Sequence, residues 1–155
     1  MDRATSPVVG VVLLVCLTVV LAGSVAAAIG SMPAPEEPRF ASIDGSVDAD
    51  TDRIVLVHRR GDPLDVDSIE VRIAVDGTPL AHQPALPAAG MEGFEDVPEG
   101  PFNRGAETNR WTAGERAALT VAAPPANTPA IDPGDRVTVT ISRNGHHIAR
   151  LSMTA

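Results

Sequence analysis

The 155-residue sequence has no lysine and no tyrosine, a single cysteine, one tryptophan and three phenylalanines. Cys16 lies inside a hydrophobic run, so the rest of the chain can form neither a disulfide nor a thiolate metal site and must be stabilised by packing. With so few aromatics, that packing falls to Val, Ile, Leu and Ala. All twelve basic residues are Arg and face twenty acids, a net charge of −8. No basic stripe is available to neutralise phosphates, which argues against a nucleic-acid partner. No Asn opens an N-x-Ser/Thr acceptor, and no G-x-S-x-G, H-E-x-x-H or P-loop pattern occurs. No nucleophile is paired with a base, so the reading is of a non-enzyme that needs no cofactor and no metal. The Asp-rich, Lys-free surface suits solubility and salt adaptation, or it reflects an Arg-favouring genome.

What the sequence does have is a long apolar segment at its N-terminus. Residues 7–29 carry no charge. As a helix rising about 1.5 Å per residue they reach roughly 34 Å, enough to cross a bilayer core. Pro7 stands at the start, where its missing N–H costs little, and Gly30 and Pro33 mark the end. Arg3 precedes the run and Glu36 and Glu37 follow it, which places the N-terminus inside and the C-terminal domain outside a single-pass cell membrane protein. Small residues gather toward the far end: Ala22, Gly23, Ser24, Ala26, Ala27 and Ala28. Their i, i+4 pairs, with Gly10 nearer the start, let helices approach closely, although small residues are also common in membrane helices.

Three processing fates fit this segment. Ala26-Ala27-Ala28 offers a signal-peptidase-like site. Leu21-Ala22-Gly23 resembles the start of a lipobox, but Ser24 follows where a cysteine is required, which excludes lipidation. Cleavage ahead of the apolar run would leave the helix on the mature protein.

Residues 31–38, Ser-Met-Pro-Ala-Pro-Glu-Glu-Pro, read as a Pro-rich, semi-rigid linker. Beyond it come strand signals and no convincing amphipathic helix. Residues 53–58 (RIVLVH) read as a buried strand, and residues 68–75 alternate with Ile69, Val71, Ile73 and Val75 on one face. Asp76-Gly77 predicts a two-residue hairpin turn that sets Ile73 opposite Leu80, with Pro79 marking an edge. A further strand is expected over 116–123. Val137, Val139 and Ile141 begin a last hairpin. Face agreement there favours a three-residue loop, Arg143-Asn144-Gly145, setting Val139 opposite Ala149 and Val137 opposite Leu151. Residues 85–113 read as long loops around Trp111. Six to eight short strands with Gly/Pro/Asp turns give an all-β, immunoglobulin-like sandwich over 39–155.

Asp48-Ala49-Asp50-Thr51-Asp52 opens like a calcium loop, but Arg53 and Arg59 occupy the positions that need Gly and Glu, so it reads as an acidic turn. His146 and His147 are adjacent and point to opposite faces of a strand, while His58 and His82 lack ligand spacing. Asp62, Asp65 and Asp67 read as turn formers.

The stretch Asp2-Arg3-Ala4-Thr5-Ser6-Pro7-Val8-Val9-Gly10-Val11-Val12-Leu13-Leu14 resembles the N-terminal domain of archaeal type IV pilins, particularly those of halophilic archaea. His58-Arg59-Arg60-Gly61-Asp62-Pro63-Leu64 is similar to a later H-x-G-G-D-P segment of that family, with Arg60 where Gly is usual. The resemblance implies a prepilin peptidase cutting between Ala4 and Thr5, beside Arg3, and leaving a four-residue leader shorter than the family's norm. It also implies a helix over 5–30 that bundles with other pilin subunits in a filament core, with the β domain on the cell surface. The alternative from a different class is a membrane-anchored or secreted β-sandwich that binds a surface partner. A secreted enzyme would need a clustered site that the sequence does not present.

Overall fold

The structure, a computed structural model, describes residues 5–32 and 40–155. These fall into two compact units, one holding the helix and one holding the β domain. The positions read as the leader, residues 1–4, and most of the Pro-rich linker, residues 33–38, lie outside the described residues.

Helix α1 spans Thr5–Gly30. Its interior contains no charge and no proline past the first turn, so nothing interrupts the i→i−4 ladder. The Thr18 and Ser24 hydroxyls donate to the Val15 and Val20 carbonyls, both at 2.8 Å. Its end is closed by the Ser31 amide on the Ala27 carbonyl (3.1 Å) and the Ser31 hydroxyl on that of Ala28 (2.9 Å).

The β unit is an antiparallel sandwich. Its strands are β1 (Ala41–Asp48), β2 (Arg53–Gly61), β3 (Leu64–Asp65), β4 (Glu70–Val75), β5 (Thr78–Pro79), β6 (Phe94–Glu99), β7 (Arg110–Trp111), β8 (Arg116–Val121), β9 (Arg136–Arg143) and β10 (His146–Thr154). One sheet runs β1-β2-β8-β6 and the other β10-β9-β4-β5, while β3 and β7 form a short separate pair. Named in chain order, these are the ABED and GFC sheets of an immunoglobulin-like sandwich, the second widened by one short strand. One continuous core lies between them. Ile54, Leu56, Leu119 and Val121 enter from one side, and Val71, Ile73, Val137, Val139 and Ile141 from the other. The inter-sheet disulfide of many such domains has no counterpart, because Cys16 lies in the helix.

Both Asp-Gly and Asn-Gly form two-residue turns with positive φ at each position, Asp76 at 48° and Gly77 at 82°, Asn144 at 49° and Gly145 at 80°. At the first, Val75 pairs with Thr78, the Leu80 amide reaches the Ile73 carbonyl at 3.0 Å, and Pro79 is on an edge, as expected. The second corrects the expected three-residue loop: Arg143 pairs with His146. The face conflict that argued against a two-residue turn is resolved further along. The register shifts between His147 and Ala149, after which Leu151 opposes Val139 and Met153 opposes Val137. A bulge at Ile148 therefore does the work assigned to the loop.

Four strands lie where none was expected: β1, β6 and the two-residue pair β3 and β7, with β6 and β7 inside the segment read as loops. β1 is diluted with Ser, Asp and Gly, residues of weak strand preference. A Cβ on Gly45 would lie 2.6 Å from Met153 Sδ and 3.0 Å from Leu56 Cδ2, so a larger residue there would have to displace the Met153 side chain. β6, inside the segment read as loop, carries Pro98 and a bulge at Asp96 (φ 58°), both tolerated because it is an edge strand.

Two glycine substitutions separate conformational strain from collision. At Gly145 an added methyl meets nothing, so Gly145→Ala should cost about 1–2 kcal/mol from its left-handed backbone alone. At Gly61 (φ 110°) a Cβ would collide with the Phe40 carbonyl oxygen, so Gly61→Ala should cost distinctly more. Chemical denaturation of the two variants checks the order.

Candidate functional site: an uncovered apolar helix and a buried polar knot

Every large apolar side chain of α1 from Val8 to Ile29 is more than half exposed. The helix has no polar face to turn to water. Such a helix belongs in lipid or among other helices. Residues Pro7–Gly30 are long and apolar enough to span a membrane. Its two halves differ. Valines and leucines dominate as far as Leu21, and beyond it only Val25 and Ile29 interrupt a run of small residues. A Cβ at Gly10 or Gly23 would meet nothing within 4 Å, and Ala22, Ser24, Ala26, Ala27 and Ala28 are all exposed. Thr5 is the first helical residue, while Arg3 and Ala4 lie outside the described residues.

Among the described residues two polar side chains are buried, His58 and Asn127. Asn127 holds the His82 amide and carbonyl and the Gly93 carbonyl together (3.0, 3.0 and 2.8 Å), and His58 centres a second knot. His58 has no exposed surface. Its Nε2 lies 3.0 Å from the Asp62 carbonyl oxygen, which only accepts, so Nε2 donates, while buried Nδ1 has no hydrogen-bond partner among the described residues. The ring meets Trp111 edge-on at 5.7 Å, and Trp111 meets Phe102 edge-on at 5.0 Å. Trp111 Nε1 donates to the Glu115 carbonyl (3.1 Å), and the Glu115 carboxylate accepts from the amide and hydroxyl of Thr112 (2.6 and 2.9 Å). Asp62 exchanges two bonds with Phe40: its amide donates to the Phe40 carbonyl (2.9 Å) and its carboxylate accepts from the Phe40 amide (3.1 Å). His58, Gly61 and Asp62 thus form a clasp that fixes where the chain begins β1. This is a structural role, with no open path to the imidazole.

Elsewhere the titratable groups are dispersed. The Asp48 carboxylate accepts from the Asp50 amide (2.9 Å), closing the acidic turn on itself. His146 and His147 are both exposed, and His82 Nε2 lies 3.9 Å from a Glu92 carboxylate. A cleft of about 570 Å³ lies between the residues around His82 and Arg104. Among the described residues, no group of three or more His, Cys, Asp or Glu is arranged to hold a metal ion.

The Asp52 carboxyl is held above its ordinary value. Burial, then the Glu95 carboxylate, then Asp132 raise it. A carboxyl raised on folding binds its proton more tightly in the folded state. Its contribution to stability is therefore full below the unfolded carboxylate range and is lost as pH rises through the raised folded value. At neutral pH the charged Asp52 weakens the fold. Asp52→Asn keeps a residue that tolerates φ of 49°. It should raise the melting temperature by about 1–4 °C at pH 7, with the gain vanishing toward pH 3. Thermal melts at the two pH values check this.

Residues 3–43 match the family model described as archaeal type IV pilin, N-terminal. The match covers the helix and stops inside β1. A 74-residue stretch is 35% identical to an uncharacterized protein of Archaeoglobus fulgidus, over 46% of this chain and 52% of that relative. The chain thus spans about half the length of the curated relative it matches.

Proposed function

We propose that the chain is a pilin-like structural subunit of an archaeal type IV pilus. One observation carries the reading: the segment that matches the pilin N-terminal domain is a helix apolar on every side and uncovered along its length. Burying its thirteen large apolar side chains, Val8 to Ile29, is worth on the order of 20 kcal/mol. Free in water the helix would forgo all of it. In the membrane, lipid covers it; in a filament, neighbouring helices do. A prepilin peptidase cutting between Ala4 and Thr5 releases the subunit from the first environment to the second. The small residues from Ala22 to Ala28 narrow the helix and admit neighbouring backbones, while the β domain stays outside and forms the filament surface. The pilin family is structural, and the subunit acts by assembly rather than by chemistry.

The test is the N-terminal sequence of the protein taken from its own cells. A start at Thr5 together with presence in filaments is the expected result. A start near Ile29 would mean that the helix is discarded as a secretion signal, and the reading would fall to a soluble binding domain. A second check is Ala27→Leu, which widens the narrow part of the helix. It should cut filament abundance by about tenfold or more, counted by electron microscopy, while membrane levels of the protein stay unchanged.

A further inference from the structure

The two sheets differ in charge. The strands of the β10-β9-β4-β5 sheet hold Arg72, Arg136, Arg143 and Arg150 against a single acid, Glu70, in a chain whose acids outnumber its bases twenty to twelve. Register places Arg72 opposite Thr140 and Arg150 opposite Thr140 from the other side. Their sequence neighbours Val71, Ile73, Val139 and Ile141 point into the core, so Arg72, Thr140 and Arg150 form one row on the outer face. Strands lie about 4.8 Å apart, which puts the two arginines roughly 10 Å from each other with a hydroxyl between them. That spacing suits a carboxylate received from both sides. The row lines a groove of about 340 Å³ bordered by Pro79, Leu80 and Thr138. Among the described residues Arg72 pairs with Glu70 alone, at 2.6 Å, an exposed pair of the kind that exchanges partners at little cost. Among the described residues Arg150 has no ion-pair partner.

We propose that the outer Arg72–Thr140–Arg150 row docks the β1–β2 turn of a second copy of this chain, with Asp48 and Asp50 as the groups it receives. Charge complementarity selects the occupant. Asp48 and Asp50 are exposed at the tip of a hairpin, and neither is within ion-pair distance of an arginine among the described residues. Close by, Asp52 is crowded by Glu95 and Asp132, so this end of the domain gains from an arriving cation. The turn belongs to one sheet and the row to the outer face of the other, so a subunit cannot satisfy both on itself. The contact uses two different patches, and such a head-to-tail arrangement propagates rather than closing as a twofold dimer. The proposal rests on the pilin-like reading and adds to it a contact in the outer layer, away from the helix bundle.

The experiment uses the full-length chain in its own cells. Arg72→Glu with Arg150→Glu should lower filament abundance at least tenfold with unchanged membrane levels. Adding Asp48→Arg and Asp50→Arg to that variant should restore filaments to within about twofold, because the charges are opposed again. A double variant that assembles like the unmodified protein overturns the contact. So does a quadruple variant as defective as the double, which would point to a polyanion other than this chain. A readout independent of filaments is Thr140→Cys with Asp50→Cys in a Cys16→Ala background, oxidised by air in membranes. Disulfide-linked multimers without filaments would keep the contact and sink the pilin reading. Filaments without such multimers would do the reverse.

Discussion

His58 has no access to water, yet its Nε2 hydrogen-bonds the Asp62 carbonyl, and the chain on both sides is arranged around that bond. To bring Asp62 back over the imidazole, the backbone turns at Gly61 with a φ of 110°, which an L side chain rarely adopts. The turned Asp62 then takes Phe40 by two hydrogen bonds and sets the start of β1. On the other side of the ring, Trp111 and Phe102 stack edge-on in sequence, gathering the long β6–β8 connection against β2. A domain with no disulfide and four aromatic residues besides its histidines has few means of fixing loops. Here one buried imidazole ties a strand start, a turn and an aromatic pair together. Its Nδ1, which has no hydrogen-bond partner among the described residues, is the cost, a buried polar atom that gives up a bond to water.

The chain also answers to two solvents. The β domain hides Ile, Leu and Val between sheets and turns carboxylates outward. The helix does the opposite, with its only polar groups between Val8 and Ile29, the Thr18 and Ser24 hydroxyls, bonded back to its own carbonyls. That is the state required where no water is available to hydrogen-bond. The same property leaves nothing on the helix for water to hold, so its environment must be lipid or protein.

Much of this was legible in the sequence where a local rule was sufficient. The uncharged stretch over residues 7–29 read directly as a helix long and apolar enough to cross a membrane, and Asp76-Gly77 fixed a register because both residues accept positive φ. The last hairpin shows the limit of the same rule. Asn144-Gly145 made the turn that its chemistry favours, and the core then recovered its face agreement through a bulge at Ile148, a choice made by packing and invisible to alternation. β1 and β6 escaped notice because their strand character comes from neighbours: Gly45 leaves room for Met153, and Pro98 is permitted only by an edge. The small residues of the helix could be read directly, whereas the Arg72–Thr140–Arg150 row needed the register of three strands that are distant in sequence.

A filament subunit must present unlike surfaces to its neighbours, since like-to-like contacts close into pairs. The helix alone does not guarantee that polarity, because an apolar rod with small residues on several faces can pack in many rotations. In the proposed filament the β domain would break this degeneracy, with one sheet holding four arginines against a single acid and the other ending in an acidic turn. Exposed ion pairs are individually weak and screened by salt, so they add little to the strength of a bundle already held by apolar burial. What they can contribute is discrimination, by disfavouring any arrangement that brings two acidic turns or two arginine rows together. On this argument the helix supplies the cohesion of the assembly, and the dispersed charges of the sandwich select among the rotations that cohesion alone would allow.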